Sequence, residues 1–232
     1  MRRLLTLLLA LVAAQAIQGQ DTASSALLRQ DTSEQTLLLT PVPAVPSSTL
    51  CENITLTSTS TGLIGLGLLA AYQPDVNSWA VALRDEVTFY NPPRLEFDNY
   101  LQYLPAVTPV VLNLCGVEGR HDFKKLLLLE GGSYLLGAGW LNTFKLGFAK
   151  ERPDNSAKNS FPSGHTFTAF VGAEIIRREY GEEHPWMAVV AYSVATLVGV
   201  MRVYNNRHWA GDVLAGAGLG IWSTTLVYWV LD

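Results

Sequence analysis

The sequence predicts an all-α fold, a helical bundle. From about residue 62 onward, apolar residues recur at helical spacing, and no alternating strand pattern of convincing length appears. Hydrophobic residues make up 49% of the 232 and charged residues only 16%. That charge is low against an average of about 25%, so the helices must bury apolar faces against each other or against lipid. The length suits one domain with a core of its own.

The elements follow in chain order. Residues 1–16 read as a secretory signal peptide. Arg2-Arg3 supply the charge, Leu4 to Ala13 the apolar run, and Ala14-Gln15-Ala16 the cleavage site. The apolar run is shorter than the ~20 residues of a spanning helix, which favours cleavage over a retained anchor. Residues 17–61 read as a flexible leader, rich in Gln, Ser, Thr, Asp and Pro. Pro41, Pro43 and Pro46 break any regular element, and the run Thr55 to Thr61 continues the polar composition. Residues 62–232 are the helical domain, with helices near 62–72, 78–90, 99–114, 122–148, 164–180, 186–203 and 208–230. Ser78, Asp122 and Ser163 are N-cap types, and Gly181 is a stop after 164–180.

Pro185 to Met201 is an uncharged run of 17 residues, and Val213 to Leu231 one of 19. Both approach spanning length. Gly216 and Gly220 have the small-xxx-small spacing that lets helices approach closely. Glu130 and Glu174 interrupt other helices, and Arg177-Arg178 close one early. The reading is membrane embedding or peripheral association, with a soluble bundle of buried helices as the alternative. Net charge is −4 with no basic block, which argues against nucleic acid as a partner. Cys51 and Cys115 allow one intramolecular disulfide, which export would permit. The alternative is two buried thiols, with Cys115 an ordinary core residue.

Three short polar blocks carry the chemistry. The first is Lys145 followed after six residues by Arg152-Pro153. The second is Pro162-Ser163-Gly164-His165. The third is Arg202, His208 after five residues and Asp212 after three more. An ammonium and two guanidinium forks can hold phosphate oxygens. Ser163-Gly164-His165 sits at a helix start, where free N–H groups and the positive helix end favour an anion. His208 and Asp212, four apart, share one helical face, so the carboxylate can bind one ring nitrogen and leave the other free. Each block alone would be ordinary: cations closing a helix, a Pro-Ser cap, a surface ion pair. Lys150 reads as solvated, and His121 and His184 as solvent-exposed.

Together the blocks resemble the type 2 phosphatidic acid phosphatase family, whose site is shared with the vanadium-dependent haloperoxidases. The family pattern is Lys-x6-Arg-Pro, Pro-Ser-Gly-His and Ser-Arg-x5-His-x3-Asp. Met201 stands where the third block usually has Ser, and the link from Asp154 to Phe161 is short for the family. The resemblance covers about residues 122–231. It implies the family's helical bundle and a catalytic set of His208, His165 and Asp212. His208 would be the nucleophile that forms a phosphohistidine, Asp212 would orient it, and His165 would be the general acid. Lys145, Arg152, Arg202, Ser163 and Gly164 would bind the phosphate. No metal and no cofactor are implied, because three cations replace them.

The implied substrate is a phosphorylated lipid, a phosphomonoester or a diphosphate. The implied place is outside the cytoplasm, periplasmic or at the outer face of the inner membrane. The alternatives are a soluble periplasmic acid phosphatase of broad specificity, a vanadium-dependent haloperoxidase, and a non-catalytic protein on the same fold.

Overall fold

A computed structural model of the chain describes residues 47–90 and 93–232. Helices account for it, and no strand occurs among the described residues. They are α1 (Ser47–Tyr72), α2 (Pro74–Tyr90), α3 (Asp98–Leu101), α4 (Tyr103–Leu114), α5 (Phe123–Phe148), α6 (Gly164–Tyr180), α7 (Pro185–Tyr204) and α8 (Ala210–Leu231). The signal peptide expected over 1–16 and the leader up to residue 46 lie outside the described residues.

Residues 47–61, expected to be leader, are instead the first half of α1. Composition misleads here because the hydroxyls satisfy themselves. Thr55 Oγ1 donates to the Cys51 carbonyl at 2.8 Å, Ser60 Oγ to that of Leu56 at 2.7 Å, and Thr61 Oγ1 to that of Thr57 at 2.7 Å. The small side chains then let α1 lie flat on α8, its most extensive partner. A Cβ on Gly218 would stand 2.6 Å from the Ser60 carbonyl oxygen.

The centre of the bundle is α6 and α8. Ala169, Phe170, Ala173 and Ile176 of α6 pack with Ala191, Tyr192, Ala195 and Val198 of α7 and with Ala217 and Ile221 of α8. On the other side, Phe167, Val171 and Ile175 meet Leu126 and Leu129 of α5 and Leu219 and Tyr228 of α8. The spacing of Gly216 and Gly220 does permit a close approach. A Cβ on Gly216 would stand 2.5 Å from the Ser163 carbonyl oxygen, and one on Gly220 would stand 2.9 Å from that of Phe167. The helix expected over 99–114 is two pieces, α3 and α4, divided at Gln102.

Three helical stretches are long and apolar enough to cross a membrane: Leu50–Tyr72, Pro185–Tyr204 and Ala210–Leu231. Two were legible as uncharged runs; the third depends on the extension of α1. Glu174 is buried and held by Arg177 and Arg178, whose guanidinium nitrogens approach to 2.7 Å. Buried charge of this kind persists only when paired.

Two expectations fail away from the site. Cys51 and Cys115 are free thiols and both are exposed, so there is no disulfide and Cys115 is not a core residue. His121, expected at the surface beside charged neighbours, has a side chain only 13% exposed. The loop before α5 folds over the end of α6, where Arg120 N donates to the Glu179 carbonyl at 2.9 Å. That places His121 between Glu179 at 2.9 Å and Asp232 at 2.6 Å. His184 is half-buried.

Candidate active site

The site forms where three segments meet: the loop joining α5 to α6, the first turn of α6, and the loop joining α7 to α8. α5 ends at Ala149, which adopts φ 42° and breaks the helix just after Lys145. The short link then folds on itself. Arg152 N donates to the Ala157 carbonyl and Ser160 N to that of Lys150, both at 2.9 Å. Asn159 ties the two cations of the first block together. Its carbonyl accepts from Lys145 Nζ at 2.7 Å, and its side-chain oxygen accepts from Arg152 Nε at 2.9 Å.

Ser163 is the N-cap of α6, as its type predicts. It is fully buried, and its hydroxyl lies 2.9 Å from Thr166 Oγ1, turned into the helix it caps. Its N–H donates to the Asp212 carbonyl at 2.9 Å, so the second block is bonded to the third. Gly164 follows with space around it: a Cβ there would meet only Leu141, at 3.7 Å. His165 Nε2 donates to Asn99 Oδ1 at 3.0 Å, and Arg202 Nη1 approaches the same oxygen at 3.3 Å. Arg202 is buried and pairs with Asp98 at 2.7 Å, while its Nε has no partner among the described residues. An unsatisfied buried donor of this kind is costly unless a ligand takes it.

His208 is buried. Its Nδ1 donates to the Ser160 carbonyl at 2.8 Å. Asp212, expected to hold that nitrogen directly, stands 3.7 Å from it. The Asp212 carboxylate instead accepts from Trp209 N at 3.0 Å, from Ser160 Oγ and from Lys150 Nζ at 2.9 Å. The bond to Ser160 still fixes the tautomer and leaves Nε2 with no partner among the described residues. Met201 is buried on α7 just before Arg202.

Electrostatics follow from burial and cation density. Burial lowers the His165 pKa to about 3, helped by the charges of Arg202, Arg152 and Lys145. Burial also holds His208 below its ordinary value, with Arg202 and Arg152 acting the same way and Asp212 opposing. Both rings are therefore neutral at pH 7. A cavity of about 240 Å³ adjoins these groups, lined by Asn99, Arg152 and Arg202 and, beyond them, by Arg94, Glu96 and Arg207. Among the described residues no three His, Cys, Asp or Glu side chains converge as metal ligands.

Arg152, Ser163, Gly164, His165 and His208 thus fall on the three converging segments, and Lys145, Arg202 and Asp212 on the ends of α5, α7 and α8 that border them. Residues 127–232 match the model of the PAP2 superfamily. The match takes in just under half of the chain, and over that segment the chain is similar to the superfamily. The PAP2 match begins early in α5 and contains all three blocks. Asp98 and Asn99, which hold Arg202 and His165, come from α3 outside it.

The chain is 41% identical over 138 residues to lipid A 1-phosphatase of Porphyromonas gingivalis, covering 59% of this chain and 31% of that protein. It is 28% identical over 128 residues to phosphatidylglycerophosphatase B of Bacillus subtilis, covering 51% and 62%. It therefore spans less than two thirds of either curated relative. The crystal structure of a transmembrane PAP2-type phosphatidylglycerolphosphate phosphatase from Bacillus subtilis superposes with a TM-score of 0.54 at 23% identity, over 80% of this chain and 94% of that one. At that identity the likeness speaks for the helical PAP2 fold alone.

Sequence reasoning missed four residues of this site. Lys150, read as solvated, is an Asp212 partner; it lies inside the Lys-x6-Arg window, but spacing gives no sign of where it points. Ser160 and Asn159 lie just before the second block without a motif of their own. Asn99 is far upstream, and only the tertiary fold brings it to His165.

Proposed function

We propose that this chain is a lipid phosphatase, a phosphoric ester hydrolase that transfers the phosphoryl group through His208. One observation carries the reading. The Ser160 carbonyl fixes His208 Nδ1, leaving Nε2 as a lone-pair nucleophile beside Arg202, whose buried Nε has no partner among the described residues.

In the first step the His208 Nε2–P bond forms as the P–O bond to the leaving group breaks. The departing oxygen takes a proton from His165. In the second step water attacks phosphorus, the N–P bond breaks, His165 recovers a proton from that water, and orthophosphate leaves. Lys145, Arg152, Arg202 and the N–H groups at the start of α6 meet charge that spreads over the nonbridging oxygens. Asp212, held by Lys150, faces the imidazolium side of His208 at 3.7 Å and steadies its positive charge. His165 is neutral at pH 7, so its acidic proton arrives with the substrate. A phosphate monoanion carries one, and its charge offsets the cations that depress the ring.

A lipid substrate suits a bundle with three helices of spanning length and with Leu66, Leu69, Val189, Val190 and Val230 exposed. The signal-like first 16 residues support export, with the site at the outer face of a membrane. The test is phosphate release in EDTA by the purified chain, comparing a long-chain lipid phosphate in micelles with a short water-soluble monoester. Preference for the lipid supports the proposal; equal rates favour a phosphatase of broad specificity. His208→Ala must abolish release and remove an acid-labile phosphoryl adduct, and turnover in that variant overturns the nucleophile assignment.

A further inference from the structure

The cavity beside the catalytic cations continues to two arginines that the phosphate chemistry above does not use. Arg94 Nη2 and Arg207 Nη1 reach the same oxygen, Asp154 Oδ2, at 3.4 and 3.1 Å. The carboxylate is the buried member: its side chain is 6% exposed, against 52% for Arg94 and 30% for Arg207. Each fork spends one N–H on it and has others left, since a guanidinium carries five and both arginines line the cavity. An exposed ion pair at 3.4 Å contributes little to stability, so holding the loop is a weak reason for this convergence. Four guanidiniums, of Arg94, Arg152, Arg202 and Arg207, line the cavity against the carboxylates of Glu96 and Asp98. Asp98 is already committed to Arg202 and Asn205. The surplus is positive, and Asp154 shows that both forks can serve one oxygen.

Position decides which part of a substrate would lie there. Asn99 lines the cavity and accepts from His165, the group assigned to the leaving-group oxygen. The cavity therefore opens on the leaving-group side of the transferred phosphoryl. We propose that Arg94 and Arg207 form a second anion subsite that takes a phosphoryl group within the leaving group, so that the chain selects a lipid diphosphate over the corresponding monophosphate. The inference rests on the phosphatase reading above and assigns its substrate class and two specificity residues.

The chemistry is consistent with the electrostatics. His208 Nε2 attacks the terminal phosphorus, the P–O bond to the bridging oxygen breaks, and the electron pair departs with a lipid monophosphate. Such a leaving group is a far weaker base than an alkoxide and needs His165 least. Water then cleaves the N–P bond and releases orthophosphate. A site that holds His165 at about 3 is better matched to this leaving group than to an alkoxide.

The experiment uses the full chain in detergent micelles with farnesyl diphosphate and farnesyl monophosphate as probes. The wild-type kcat/KM is expected to favour the diphosphate by about tenfold or more. Arg94→Gln, at the exposed side of the subsite, should lower the diphosphate kcat/KM about tenfold and leave the monophosphate value within about twofold. Arg207→Lys should show the same selectivity in smaller measure. Release from the monophosphate with no diphosphate preference, or equal losses on both substrates in Arg94→Gln, overturns the subsite and leaves the phosphatase standing. Release from neither probe overturns both.

Discussion

Lys150 Nζ stands 2.9 Å from Asp212 Oδ1, joining the loop after α5 to the first turn of α8 across the middle of the site. The lysine side chain is 12% exposed and the carboxylate is fully buried. Removing the cation leaves a buried charge with only hydrogen bonds to hold it. Lys150→Met should therefore cost about 3 kcal/mol of stability. It should also lower kcat, because the carboxylate facing His208 is no longer fixed. Thermal unfolding and steady-state kinetics in the same detergent check both. Lys150→Arg should recover much of the stability, and a Lys150→Met chain as active and stable as wild type would contradict the role.

Asn99 connects the two sides of the transition state, since its side-chain oxygen accepts from His165 and from Arg202. In Asn99→Ala both side chains lose one restraint, while Arg202 keeps Asp98. The expected result is a fall in kcat of about tenfold or more, larger for an alkyl monoester than for an ester with a good leaving group. A drop independent of the leaving group would place Asn99 in structure rather than in proton delivery.

The pH profile should lean to the acid side. His208 is held below its ordinary value, so the nucleophile is neutral at about pH 6.5 and is lost only as pH falls through that lowered pKa. His165 is held at about 3, so near neutrality its ring keeps a single N–H and lacks the second proton that would make it an acid. The proton then comes with the monoanionic substrate, which disappears as pH rises through its second ionisation at about 6. For a monoester, kcat/KM should fall above that pH, and the limb should move with the pKa of the phosphate ester. A limb that stays fixed across esters of different pKa would assign it to the protein.

Gly216 lets α8 pass directly beneath the start of α6. An added Cβ would stand 2.5 Å from the Ser163 carbonyl oxygen, a backbone atom with no rotamer to adopt. Gly216→Ala should destabilise by about 1–3 kcal/mol. It should also displace His165, two residues after Ser163, so activity at a temperature where the chain stays folded should fall as well. Unfolding curves paired with kinetics separate the two effects.

How much of this was legible depends on whether the signal is local. The three blocks, the Ser163 cap, and the helices over 123–148, 164–180 and 185–204 all follow from spacing and cap chemistry within one segment. The convergence of the blocks followed from their resemblance to a known pattern. Lys150, Asn99, Asn159 and Ser160 act through contacts between segments, and no local spacing encodes those. The bond from His208 to the Ser160 carbonyl is a backbone contact, which side-chain identity cannot reveal. The polar composition of residues 47–61 was read as solvation, whereas its hydroxyls turn inward on their own helix.

That last feature bears on where this domain can be cut. A chain trimmed at residue 62, the boundary its composition suggests, would lose the half of α1 that carries Ser60 against Gly218. The stripped face of α8 centres on Gly218, which meets the Ser60 carbonyl and has no side chain to refill the gap. α8 also carries Asp212 in its first turn, so the damage would reach the chemistry through a helix that touches none of the reacting atoms.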